Sequence, residues 1–274
     1  MSMKSRWLLT LSLGVVATLP AQTTFSDPLS AANSNWTNSP PNQGGGALVF
    51  FTQGGTSGLG YAVATPTATD TGYRTLANFA APATSNWSAQ VDVHLAALSG
   101  LFAGQFANLN IVVAKASDGA NSNTSFALDR YNSGSGVVLD VDTYVTIGGV
   151  QTHLAEVLNA TTLATLQISY DAAASQLIYG FDSDGPANGF SFVTAHTANI
   201  SGWAMGPTDN FAFLLVGGSG VLPGVVGVVG PGLAVTDAYF ENFTVNSLAV
   251  PEPGTWGLFA FGAAVFFTLR RRRV

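Results

Sequence analysis

The 274-residue chain contains no cysteine. Disulfides, thiolate metal sites and cysteine nucleophiles are therefore excluded together, and the fold must be held by packing alone. Charge is scarce as well, at 9% of residues. Glutamate and lysine, which support exposed helices, are nearly missing, so composition argues against a helical body. Six of the nine basic residues stand at the ends: Lys4, Arg6 and the run Arg270 to Arg273. Between Ala21 and Val250, only Arg74, Lys115 and Arg130 stand against fourteen carboxylates, a formal charge of minus 11. Such a body repels phosphate backbones, so nucleic acid is not expected among its partners. Anionic lipid headgroups repel it too, which confines membrane contact to the tail.

What is present at the N-terminus has the order of a secretory signal. Lys4 and Arg6 precede the apolar run Trp7 to Val16, and small residues lead to Ala21. That run is too short for the roughly 20 residues of a stable spanning helix. Residues 1–21 are expected to be a signal peptide, and the chain is expected to be exported.

The body, residues 22–247, is rich in Gly, Thr, Ser, Asn, Val and Phe. Strand-like runs recur at short intervals: Ala47 to Phe51, Trp87 to Leu95, Leu109 to Lys115, Ser125 to Tyr131 and Val137 to Val145. They continue at Leu166 to Tyr170, Leu177 to Phe181, Phe190 to Ala195, Phe211 to Val216 and Ala238 to Val245. Short strands punctuated by Gly, Asn, Asp and Pro predict an all-β fold, a two-sheet antiparallel sandwich. The stretch from Gly217 to Gly232 reads as a glycine-rich loop without the Gly-Lys-Ser/Thr ending of a phosphate cradle. His94, His153 and His196 show no metal-ligand spacing. Asp182, Asp184 and Asn188 around Gly185 read as a β-turn before they read as a calcium loop.

Two stretches carry a resemblance. LQISYDAAASQLIYGFDSDG (Leu166 to Gly185) makes a hairpin turning through Asp171 to Gln176, and a core strand follows in NFAFLLV. This order resembles the concanavalin A-like lectin and glucanase jelly rolls, which implies a jelly-roll sandwich and, commonly in that class, glycan binding. Fold alone does not transfer the activity. In GVVLDVDTYV, Asp140 and Asp142 project to one side of a strand. Legume lectins carry a similar string, and the resemblance implies that Asp140 and Asp142 match its metal-binding acids and Tyr144 its aromatic. The next ligands are missing, with Thr146 where an Asn belongs. Calcium takes six to eight oxygens, so two carboxylates alone hold it weakly. The expectation is no bound cofactor, with Ca²⁺ at Asp140 and Asp142 as the candidate and a solvated surface pair as the default.

The related glucanases place Glu, Asp and Glu at alternate positions of this strand, and the chain offers no glutamate there. Retaining hydrolysis needs two carboxyls about 5 Å apart, so no catalytic residue is assigned and no enzyme is expected. Trp36, Trp87 and Trp203 are candidates, with Tyr144, for stacking on a glycan, and core packing is their alternative.

At the C-terminus, Val250 to Pro253 reads Val-Pro-Glu-Pro, fourteen uncharged residues run from Trp256 to Leu269, and Arg270, Arg271, Arg272 and Arg273 follow. Proline on both sides of Glu252 keeps the segment extended, and terminal arginines favour the cytoplasmic side of a membrane. Pro251, Glu252 and Pro253, a transmembrane helix at 256–269 and the arginine cluster together resemble a PEP-CTERM sorting signal across 248–274. That resemblance implies an exosortase as partner, a precursor anchored in the inner membrane, and a processed product at the bacterial surface or matrix. The body is then expected to bind or scaffold extracellular polysaccharide. A glycan-active hydrolase on the same fold and a purely structural matrix protein are the alternatives.

Overall fold

Alternation of apolar and polar residues along nearly every long run dictates strands with one face in a core. The computed structural model describes residues 22–96, 100–158 and 161–248, and they form two antiparallel sheets packed face to face. The first sheet runs β14 (Val193–Asn199), β13 (Gln176–Asp182), β12 (Leu163–Asp171), β7 (Trp87–Leu95), β16 (Ala238–Leu248), β4 (Thr56–Val63) and β3 (Gly46–Gln53). A further strand, β1 (Gln22–Asp27), pairs with the second half of β16, while β4 pairs with its first half. The second sheet runs β11 (Val150–Leu158), β10 (Val137–Ile147), β9 (Ser122–Asn132), β8 (Gln105–Lys115), β15 (Asn210–Val221), β5 (Thr69–Leu76) and β2 (Trp36–Thr37). The short β6 (Ala81–Pro82) also joins β15. The described residues form an all-β jelly-roll sandwich, as the runs of the sequence predict.

The core lies between the sheets. Val91 and Val93 of β7, Leu109 and Ile111 of β8, Phe126 and Leu128 of β9, and Phe213 and Leu215 of β15 are all fully buried in it. Aromatic rings lock the layers: Trp87 meets Phe213 edge-on at 5.2 Å and Phe211 at 5.0 Å. Such pairs are stabilising beyond their buried area.

Three expectations are corrected. The run Phe190 to Ala195 is not one strand, because β14 starts only at Val193, and Phe190 is exposed before it. The glycine-rich stretch is not a loop from Gly217 onward, because β15 continues to Val221. Its glycines answer to packing: a Cβ on Gly217 would lie 2.4 Å from the Tyr61 ring. That ring wedges between the sheets, with its hydroxyl donating to the Asp70 carbonyl at 2.8 Å. Strands β1, β4, β5 and β11 also lie where the sequence analysis marked no run. Asp182 makes the expected turn, accepting the backbone N–H groups of Asp184 and Ser191.

Among the described residues no helix is long and apolar enough to cross a membrane. The expected signal peptide and the helix at 256–269 lie outside the described residues.

Candidate functional site

β10 decides where the chemistry sits. Leu139, Val141 and Val145 point into the core. Asp140, Asp142 and Tyr144 alternate with them and therefore lie on the outer face of the second sheet. Register brings neighbours to the same face: Asp129 of β9 stands opposite Asp140, and Glu156 of β11 stands opposite Asp142. Carboxylate oxygens of Asp129, Asp140 and Asp142 lie within 4.8 Å of one another.

The expected solvated pair is thus corrected. Asp140 is 0% exposed and Asp142 7% exposed, although both face away from the core. Asp142 is well partnered, its Oδ1 lying 2.9 Å from His153 Nε2 and its Oδ2 accepting from the Tyr144 hydroxyl at 3.2 Å. The Tyr144 ring stacks on His153 at 4.7 Å. Asp140 is the reverse: both its oxygens, and Oδ1 of Asp129, are buried without a hydrogen-bond donor. Glu156 reaches Asp140, but two carboxylates can bond only through a shared proton.

Electrostatics follow from this crowding. Burial first, then the Asp142 charge, pushes the Asp129 carboxyl up to about 7. Burial and the charges of Asp142 and Asp129 likewise raise Asp140. Tyr144 is raised by burial and by Asp142. No lysine or arginine forms an ion pair with the cluster among the described residues, where Lys115 pairs with Asp209 instead. An oxygen-rich pocket of negative charge with unpartnered buried acceptors is what a hard cation requires, so these residues fit the metal that the lectin-like string implies.

Beside the cluster lies a hollow of about 330 Å³, lined by Phe106, Asn108, Asn110, Ser125, Asp129, Tyr144, Gln151 and Leu222. Asn110 Nδ2 donates to Asn108 Oδ1 at 3.0 Å, and Ser125 Oγ donates to Asn110 Oδ1 at 3.3 Å. Amides, a hydroxyl and aromatic edges on one wall suit the hydroxyl-rich, partly apolar faces of a sugar. Two larger hollows, about 460 and 570 Å³, share Asn86 at the sandwich end where β1 begins and β16 stops. They contain no comparable cluster of buried acids.

The other sequence candidates divide sharply. Tyr144 is half-buried at the hollow, whereas Trp36, Trp87 and Trp203 are 6%, 3% and 1% exposed within the core. Their rings cannot present a flat face to a glycan: Trp36 Nε1 donates to Asp27 and Trp203 Nε1 to the Thr146 carbonyl. Asp129, Asn108, Asn110 and Gln151 were missed. The signal for Asp129 was available: the short SGSG connection, Ser133 to Gly136, pairs Asn132 with Val137 and so sets Asp129 opposite Asp140.

At the far end of the sequence, residues 249–273 match the family model described as the PEP-CTERM protein-sorting motif. The tail carries a PEP-CTERM sorting motif. It includes Pro251, Glu252, Pro253 and Arg270 to Arg273 within the matched span. No curated protein matches the chain. Among solved structures the chain is similar to peanut lectin, at 11% identity and a TM-score of 0.52, covering 84% of this chain and 99% of the lectin. Lectin II from Ulex europaeus is similar over 82% of this chain and 98% of its own, at 14% identity and a TM-score of 0.48. The GH43 protein BlXynB from Bacillus licheniformis matches at 14% identity and a TM-score of 0.37, over 60% of this chain. This chain spans only 28% of that protein's length. Identities this low speak to the fold, which is that of the concanavalin A-like lectins. The PEP-CTERM tail marks the protein for secretion and surface sorting.

Proposed function

We propose that this PEP-CTERM protein is an exported surface or matrix protein whose body binds extracellular polysaccharide in the hollow on the outer face of the second sheet. The observation that carries the reading is the wall of Asn108, Asn110, Ser125, Tyr144 and Gln151 around about 330 Å³ of open space. Hydroxyls of a sugar would exchange hydrogen bonds with the amides while Phe106 and Tyr144 cover its apolar faces. An exosortase is the processing partner that the tail implies, acting on a precursor held in the inner membrane.

Binding without cleavage is the better-supported reading. The carboxyls of Asp129 and Asp142 are close enough for glycoside chemistry, where two carboxyls about 5–5.5 Å apart are needed. Asp129 lines the hollow, but both oxygens of Asp142 are engaged by Tyr144 and His153 and Asp140 is fully buried, so Asp129 has no second free carboxyl to work with there. Calcium, implied by the likeness of Asp140 and Asp142 to the lectin string, would supply positive charge under the hollow.

Affinity electrophoresis in gels cast with neutral polysaccharides tests the reading. The wild-type protein should be retarded in at least one gel, and Asn110→Ala with Gln151→Ala should restore free mobility. Retardation that survives both substitutions places the ligand elsewhere, and the absence of any retardation favours a purely structural protein.

A further inference from the structure

The lectin-like string supplies two acids, yet the fold delivers three to one point. The resemblance implies calcium at Asp140 and Asp142; we propose that Asp129, from β9, is the further ligand that completes this cation site. The proposal rests on the geometry of the cluster and stands or falls apart from polysaccharide binding.

Three buried oxygens, Oδ1 of Asp129 and both of Asp140, have no donor, and Asp140 is wholly removed from solvent. An unpaired buried carboxylate is costly, so its charge must be answered by a proton or a cation. The two lysine and arginine residues nearest in sequence do not answer it: Lys115 pairs with Asp209, and Arg130 alternates with Asp129 and donates to the Ala96 carbonyl. Of the three acids, His153 reaches only Asp142, and it also meets the Ala155 carbonyl. One ion with oxygens at about 2.3–2.6 Å spans ligands up to about 5 Å apart, and the three carboxylates lie within 4.8 Å of one another. Ligands that are all oxygen select a hard cation. Magnesium gives up water reluctantly, which disfavours it in a place this dry. Each carboxylate oxygen has two lone pairs, so Asp142 can keep His153 and Tyr144 while ligating. Because Asp129 also lines the hollow, the ion would lie directly beneath it.

The test uses the full chain in detergent at pH 8, titrated with calcium chloride alone and followed by calorimetry and by melting temperature. Saturable binding is expected, with a melting temperature that climbs as calcium is added, since a ligand stabilises the state that binds it. Magnesium should raise it less. Asp129→Asn should weaken calcium binding roughly tenfold or more, through loss of one charged ligand. In chelator the same variant should melt no lower than wild type, because it removes one of several crowded charges. If that variant fails to fold, terbium luminescence sensitised by Tyr144 in the wild-type protein, and quenched on adding calcium, gives the same answer. Absence of binding at millimolar calcium overturns the proposal and leaves shared protons in the cluster. An unchanged affinity in Asp129→Asn overturns the role of β9 and returns the site to the two acids of β10.

Discussion

At the scale of single residues, the fate of the tryptophans separates packing from recognition. Trp36 drops its ring edge-on against Phe243 at 5.1 Å and donates from Nε1 to Asp27 Oδ2 at 3.0 Å. Asp27 in turn accepts from the Leu29 amide and from Asn33, so the ring anchors the first loop to β1. Trp36→Phe keeps most of the apolar volume and deletes the bond to a charged acceptor, so chemical denaturation should show a loss of about 1.5–3 kcal/mol. Polysaccharide binding by that variant should be unchanged, and a loss of binding at full stability would make Trp36 a ligand contact after all. The sequence could not distinguish these roles, because a tryptophan at a strand start serves either one. Asp140 and Asp142 were legible as a pair on one face. Their burial was not, because it depends on Asp129 and Glu156 from strands on both sides.

At the scale of elements, periodicity located most long strands and failed where apolar alternation is weak. β4 and β5 are rich in Thr, Ser and Gly, with few large apolar residues between them, and they are strands because β3, β15 and β16 offer them edges. β11 reads as polar because it is an edge strand with much of its surface exposed, and its His153 and Glu156 flank the acid cluster. β15 was truncated in the sequence reading because glycines ended its apparent pattern, although Gly217 among them admits Tyr61. Gly217→Ala sets a methyl where the Tyr61 ring carbons lie 2.4 Å away. Overpacking of this kind costs typically 1–3 kcal/mol, which thermal unfolding would register. A variant as stable as wild type would mean that Tyr61 can withdraw from its bonds to Asp70 and Ser219.

At the scale of the whole molecule, two separate messages share one chain. The PEP-CTERM motif occupies residues 249–273 and specifies sorting, while the sandwich between residues 22 and 248 contains the described core and the candidate site. The tail was legible because its three parts appear in fixed order. The hollow was not, because it is assembled from four strands and one loop that meet only after folding. If an exosortase processes the precursor, the intact mass of exported protein should lack Arg270 to Arg273, and retention of those arginines in matrix-associated material would remove the processing step. Binding in the hollow is tested most directly by a crystal structure of the protein soaked with oligosaccharides cut from the polysaccharide that retards it. Sugar density between Asn110, Tyr144 and Gln151 is the predicted result. Density confined to the hollows around Asn86, with the second sheet's face empty, would contradict it.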